Sequence, residues 1–129
     1  MTRVLLIALA LANGHRSLPA FAGCLPNAPQ VRPSALLVTC TDGSFFLAGL
    51  KWSRWGLADA VASGTATRND CVPTCRFGHL TGRRVVVRLY RPRTCRNGVR
   101  EFTRFAFAFA GGGQGTTFKS PFYSGSGCP

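Results

Sequence analysis

Side chains able to carry acid–base chemistry are few in this chain and lie far apart. Beyond a hydrophobic leader they are His79, Glu101, Asp42, Asp59 and Asp70. Glu101 as base, His79 as acid and arginines on a phosphate would suffice for a small basic ribonuclease, since that reaction needs one group to take a proton, one to give it and cations for the developing charge. No motif ties Glu101 to His79, so this is the third-ranked reading and no catalytic residue is assigned. Asp42 is accounted for by a turn with Gly43, and Asp70 by a cap on the turn at Pro73.

Asp70, Cys71, Cys75 and His79 lie within ten residues and offer ligand types that suit zinc. The spacing opposes this: three residues separate the cysteines where structural zinc sites usually place two, and no second pair repeats the motif. Six cysteines, Cys24, Cys40, Cys71, Cys75, Cys95 and Cys128, are better explained as a disulfide framework, so no metal and no cofactor are expected. Sequence alone does not choose the pairing, but geometry narrows it. Cys71 and Cys75 flank a proline turn and suit a local bridge, Cys24 with Cys40 would pin the N-terminal segment to the first strand, and Cys95 with Cys128 would tie down the tail.

The remaining chemistry is binding. Sixteen basic residues face four acidic ones, a net charge of +12. Eight arginines fall between Arg83 and Arg104, where Glu101 is the lone acid. In strand geometry Arg84, Arg88, Arg100 and Arg104 share a solvent face beside Tyr90, an arrangement suited to an anionic partner such as a cell-wall polymer or nucleic acid. A GC-rich genome explains arginine over lysine but not the shortage of acids. Trp52 and Trp55, flanked by Lys51 and Arg54, suit stacking on sugars or bases, yet Trp52 continues an apolar strand face and belongs to the core, which leaves Trp55 as the stacking candidate. The segment from Asn69 to Phe77, braced by Cys71 and Cys75, would present Arg76 to a protease, so inhibition is the alternative function.

Fifteen glycines and eight prolines exclude a helical bundle, while 46% hydrophobic residues exclude a disordered chain. At 129 residues the chain holds one domain that needs bracing. Met1-Thr2-Arg3, the apolar run Val4 to Ala12 and Ala20-Phe21-Ala22 read as an export signal, here a signal helix cut after Ala22. The rival is lipidation at Cys24, which would anchor the protein and leave an odd cysteine. Three units follow: a leader over 1–22, a β-domain over 23–110 and a Gly/Ser-rich, irregular tail over 111–129 held by Cys128.

Alternation places strands over Leu36–Cys40 and Phe46–Trp52 around an Asp42-Gly43 turn, with Phe46, Ala48, Leu50 and Trp52 on one face. Ala58, Ala60, Ala62, Gly64 and Ala66 form a strand with a small inward face. Val85, Val87 and Leu89 share a face of the next strand, and Asn97-Gly98 turns it into Val99–Ala110. A two-residue turn would set Phe105, Phe107 and Phe109 on the arginine face, so a bulge between Pro92 and Cys95 is expected to return them to Val85, Val87 and Leu89. The fold class is therefore all-β, a disulfide-braced antiparallel sandwich or open barrel of about five or more strands, expected to be a monomer with no transmembrane segment in its mature form.

Leu37-Val38-Thr39-Cys40-Thr41-Asp42-Gly43, Leu50-Lys51-Trp52-Ser53-Arg54-Trp55-Gly56, Gly64-Thr65-Ala66, Asn69-Asp70-Cys71-Val72-Pro73-Thr74-Cys75, Gly78-His79 and Phe102-Thr103-Arg104 together resemble a family of small secreted actinobacterial proteins with no assigned activity. The most specific elements are Trp-x-x-Trp-Gly and Asn-Asp-Cys-x-Pro-x-Cys. The resemblance spans about residues 24 to 110, implies export and a disulfide-bearing β-domain, and transfers no catalytic residue. The pair Cys95 with Cys128 and the glycine-rich tail are peculiar to this chain. The leading expectation is a secreted, non-enzymatic β-domain that engages an anionic partner.

Overall fold

The computed structural model describes residues 17–24 and 28–111, together with the backbone of 116–119. Alternating apolar residues build one antiparallel sheet whose strands follow chain order: β1 (Leu36–Leu37), β2 (Phe45–Trp55), β3 (Asp59–Asn69), β4 (Leu80–Thr94), β5 (Arg100–Phe109) and β6 (Thr116–Lys119). The sheet curls into an open half-barrel, with no helix among the described residues. This is the open-barrel form of the expected fold rather than the sandwich, because a second sheet is replaced by curvature of the first. The expected signal helix lies outside the described residues. The tail expected to be irregular contributes β6, which pairs with β5 from Arg104↔Lys119 to Phe107↔Thr116.

The concave face carries the core. Ala60, Ala62 and Ala66 of β3 lie under Val85, Val87 and Leu89 of β4 and Phe105 and Phe107 of β5, all buried. Burying each of the larger of these side chains contributes about 2 kcal/mol. On β2 the inward residues are Phe45 and Leu47, then Leu50 and Trp52, then Trp55. Two register irregularities, between Ala48 and Lys51 and between Trp52 and Arg54, shift the phase each time. Phe46 and Ala48 therefore do not share the core face with Leu50 and Trp52. Gly49, at φ 60°, adopts the left-handed backbone of the first bulge.

Val85, Val87 and Leu89 pair with Phe109, Phe107 and Phe105, as the apolar pattern demands. The device differs from the expected bulge, since the register runs unbroken from Val85↔Phe109 to Thr94↔Arg100. The odd residue sits in the turn instead. Cys95 N–H donates to Val99 O at 2.7 Å and Gly98 N–H to Cys95 O at 2.9 Å, leaving Arg96, Asn97 and Gly98 as a three-residue loop with Gly98 at φ 84°. Arg91 also takes a positive φ of 53°. Beyond it the burial changes phase, so that Phe102 joins the core along with Phe105.

The segment ahead of Gly23 belongs to the same core. Pro19, Ala20, Phe21 and Ala22 are all buried. Ala20 N–H donates to Arg100 O and Phe102 N–H donates to Ala20 O, each at 2.9 Å, making a parallel bridge to β5. Phe21 exchanges two backbone hydrogen bonds with Gln30 and sets its ring against the edge of Phe105. The cut expected after Ala22 thus falls at the end of a segment that packs on the core.

Candidate functional site

The basic face is the convex side of β3, β4 and β5. With Val85, Val87 and Leu89 inward, Arg84, Val86 and Arg88 are exposed and Tyr90 is half-buried. Arg104 stands opposite Tyr90. Arg84, Arg88, Arg104 and Tyr90 therefore share a face. Arg100 lies apart, near the β4–β5 turn beyond the phase change, where its guanidinium reaches Thr94 Oγ1 at 3.4 Å.

Asp59 organises one end of this face. It accepts two hydrogen bonds from Arg54, at 2.9 and 2.8 Å, and one from Arg88 at 3.3 Å. The Arg54 hydrogen bond, reinforced by Arg88, holds the Asp59 carboxyl below the usual carboxylate range. Arg88 also lies over the Tyr90 ring, 4.9 Å from its centroid. Sequence reading missed Arg54 and Asp59 as partners; the signal was their position on either side of the short β2–β3 turn, closed by Gly56 N–H donating to Asp59 O.

The other carboxylates are engaged away from this face. Asp42 accepts from Ser44 N–H at 2.9 Å, the main cause of its lowered pKa. Asp70 accepts from the backbone N–H groups of His79 and Val72, which lower its pKa, and its second oxygen lies 3.0 Å from His79 Nδ1. Glu101 is only 4% exposed, and burial pushes its carboxyl up. Among the described residues the ion pairs join Arg54 and Arg88 to Asp59. Other guanidiniums rest on aromatic rings: Arg83 over Phe109, Arg68 over Phe45 and Arg76 over Phe77.

Trp55 does not present a stacking surface. It is 7% exposed, its indole N–H donates to Pro19 O at 2.8 Å, and Trp52 and Phe102 pack on it edge to face. Trp52 is half-buried and donates to Pro33 O. Glu101 and His79 are not brought together: His79 immediately precedes β4, whereas Glu101 pairs with Arg93 near its end, on the order of 40 Å away along extended strand.

Cys24 is bonded to Cys40 and Cys71 to Cys75, as geometry suggested. Cys95 is also in a disulfide; the pairing proposed for it rests on Cys128, outside the described residues. The bridge at Cys24 commits the sulfur that a lipid anchor would require. The close group Asp42, Cys71 and Cys75 offers no thiolate to a metal, because both sulfurs are oxidised. The Cys71–Cys75 loop is held by Asn69, which donates to Cys75 O and accepts from Cys71 N–H, and it leaves Val72 and Phe77 60% and 67% exposed.

Protein-family models, curated proteins and solved structures give no match to this chain. Two disulfides fit an extracellular or otherwise oxidising environment. No helix among the described residues is long and apolar enough to cross a membrane.

Proposed function

We propose that this protein is a secreted, non-enzymatic β-domain that binds an anionic polymer, a cell-wall polymer or a nucleic acid, through the convex arginine face. The observation that carries this reading is the imbalance of pairing. The four carboxylates are consumed by turns, by burial or by Asp59's two guanidiniums, while Arg84 and Arg104 have no carboxylate partner among the described residues. Such a surface attracts polyanions and releases their condensed counterions on contact. The test is anisotropy of a fluorescent single-stranded oligonucleotide, and of a labelled wall polyanion, as a function of salt. Binding that weakens linearly in log–log form with salt supports the reading; a salt-independent affinity or none at low salt removes it.

A second reading is favoured by one observation, the exposed Arg76–Phe77 step beside a braced, hydrogen-bonded loop. As a protease inhibitor the protein would present Arg76 to a trypsin-like enzyme, and Arg76→Ala would abolish inhibition while leaving polyanion binding nearly unchanged.

A further inference from the structure

The first bulge of β2 does more than shift the core register. On either side of it two cross-strand pairs face outward, Ala48↔Thr65 and Lys51↔Ser63, so that Gly49 and Leu50 together stand opposite Gly64 alone. Leu50 turns into the core. Gly49 turns outward without a side chain, and a Cβ there would meet nothing within 4 Å. Gly64 lets β3 lie close beneath the bulge, since a Cβ there would come within 2.7 Å of Ala48 O and 2.8 Å of Leu50. The result is a shallow hollow of about 230 Å³ on the convex face, lined by Gly49, Lys51, Ser63, Gly64, Thr65 and Arg84. Arg84 enters it because it pairs directly with Thr65.

The chemistry of this lining has one sign. Lys51 and Arg84 bring two cations, Ser63 and Thr65 two hydroxyl donors, and no carboxylate lines the hollow. Neither cation has a carboxylate partner among the described residues, in contrast to Arg54 and Arg88 on the same face. A guanidinium fork, an ammonium and two rotatable hydroxyls around exposed glycine backbone suit the several oxygens of a phosphoryl group better than the two of a carboxylate.

We infer that the hollow over Gly49 is a phosphate-binding subsite, formed by Lys51, Arg84, Ser63 and Thr65, that holds a phosphodiester of the polyanion. This rests on the function proposed above and makes one prediction that net charge alone does not. Nucleic acids and phosphodiester wall polymers share the chemistry and differ in what flanks the phosphate.

Two measurements on the full chain test it. Inorganic phosphate, titrated at constant ionic strength against chloride, should shift the amide resonances of Gly49, Lys51, Ser63, Gly64, Thr65 and Arg84 and spare those of the β4–β5 turn. Arg84→Gln should weaken binding of labelled single-stranded oligothymidylate about tenfold, well beyond the effect of Arg93→Gln, which removes the same charge outside the hollow. The charge-neutral Ser63→Ala/Thr65→Ala pair should weaken oligothymidylate while leaving polyglutamate binding unchanged. Equal losses in Arg84→Gln and Arg93→Gln, or phosphate shifts spread over the whole basic surface, would overturn the subsite and leave polyanion binding standing. Phosphate shifts confined to the hollow with no polymer bound would do the reverse. A phosphodiester wall polymer that binds more tightly than oligothymidylate, with the same dependence on Arg84, supports the subsite and identifies the wall as the source.

Discussion

Asp59 restrains the basic face it sits on, because its single carboxylate ties down two guanidiniums that would otherwise point to solvent. Asp59→Asn should therefore tighten polyanion binding several-fold at low salt and steepen its salt dependence, while lowering stability only slightly, since both arginines are more than half exposed. The stabilisation Asp59 does give belongs to its depressed pKa: it is present above the ordinary carboxylate pKa and is lost as pH falls through the folded value. Glu101 has the opposite sign. Burial raises its pKa, so its contribution is greatest in acid and declines as pH rises through the folded value. Glu101→Gln, which cannot ionise, should melt above the native protein near neutral pH, with the gap closing toward about pH 3, where both side chains are neutral. A variant that melts lower at neutral pH would show that the ionised carboxylate is held by a cation. Of the single-residue roles, Asp70 as a turn cap was legible because its partners, Val72 and His79, are local in the chain. Trp55 was not, because its burial depends on the Pro19 carbonyl across 36 residues of sequence.

Strand existence and the inward faces of β3, β4 and β5 were readable from period-two patterning, but the devices that set register were not. In the β4–β5 hairpin the pattern demanded that Val85, Val87 and Leu89 meet the phenylalanines, and they do. Whether an extra residue is absorbed in a strand or in the turn is decided by local backbone, here by Gly98 taking a positive φ in a three-residue loop. In β2 the two bulges left the apolar residues at irregular spacing, which a fixed period misassigned. The larger change concerns the first segment. Small residues at Ala20 and Ala22 satisfy a peptidase, and both are also buried in the fold, Ala20 against β5, so composition does not separate the two roles. The packing does: Phe21 is 3% exposed and its truncation to alanine should cost about 3–5 kcal/mol in urea unfolding. A chain begun at Gly23 would lose Phe21 with the Ala20 bridge and should unfold at markedly lower urea than one begun at Ser17. N-terminal sequencing of the native protein is accordingly expected to find a first residue ahead of Pro19; a start at Gly23 would show that β5 is stable without this segment.

At the scale of the molecule, an open half-barrel has to hold its curvature without a second sheet to clamp it. Whether alternating strands curl or split into a sandwich depends on contacts between distant strands, which is why the sequence left both forms open. Two features supply the clamp: the segment from Pro19 to Ala22 crosses the concave side to reach β5 and Trp55, and the Cys24–Cys40 bridge joins the end of that segment to the β1–β2 hairpin. The two described disulfides should therefore contribute unequally. Closing the 16-residue separation of Cys24 and Cys40 removes about 3 kcal/mol of unfolded-state freedom, against about 2 kcal/mol for the four-residue separation of Cys71 and Cys75. Only the first also holds a core segment in place. Cys24→Ser/Cys40→Ser should accordingly lose more stability to urea than Cys71→Ser/Cys75→Ser and should expose Trp55 to fluorescence quenching, whereas removal of the loop bridge should leave Trp55 shielded and change only the braced tip. Equal losses, with Trp55 shielded in both variants, would mean that the sheet keeps its curl through strand pairing alone and that the N-terminal segment covers a surface already formed.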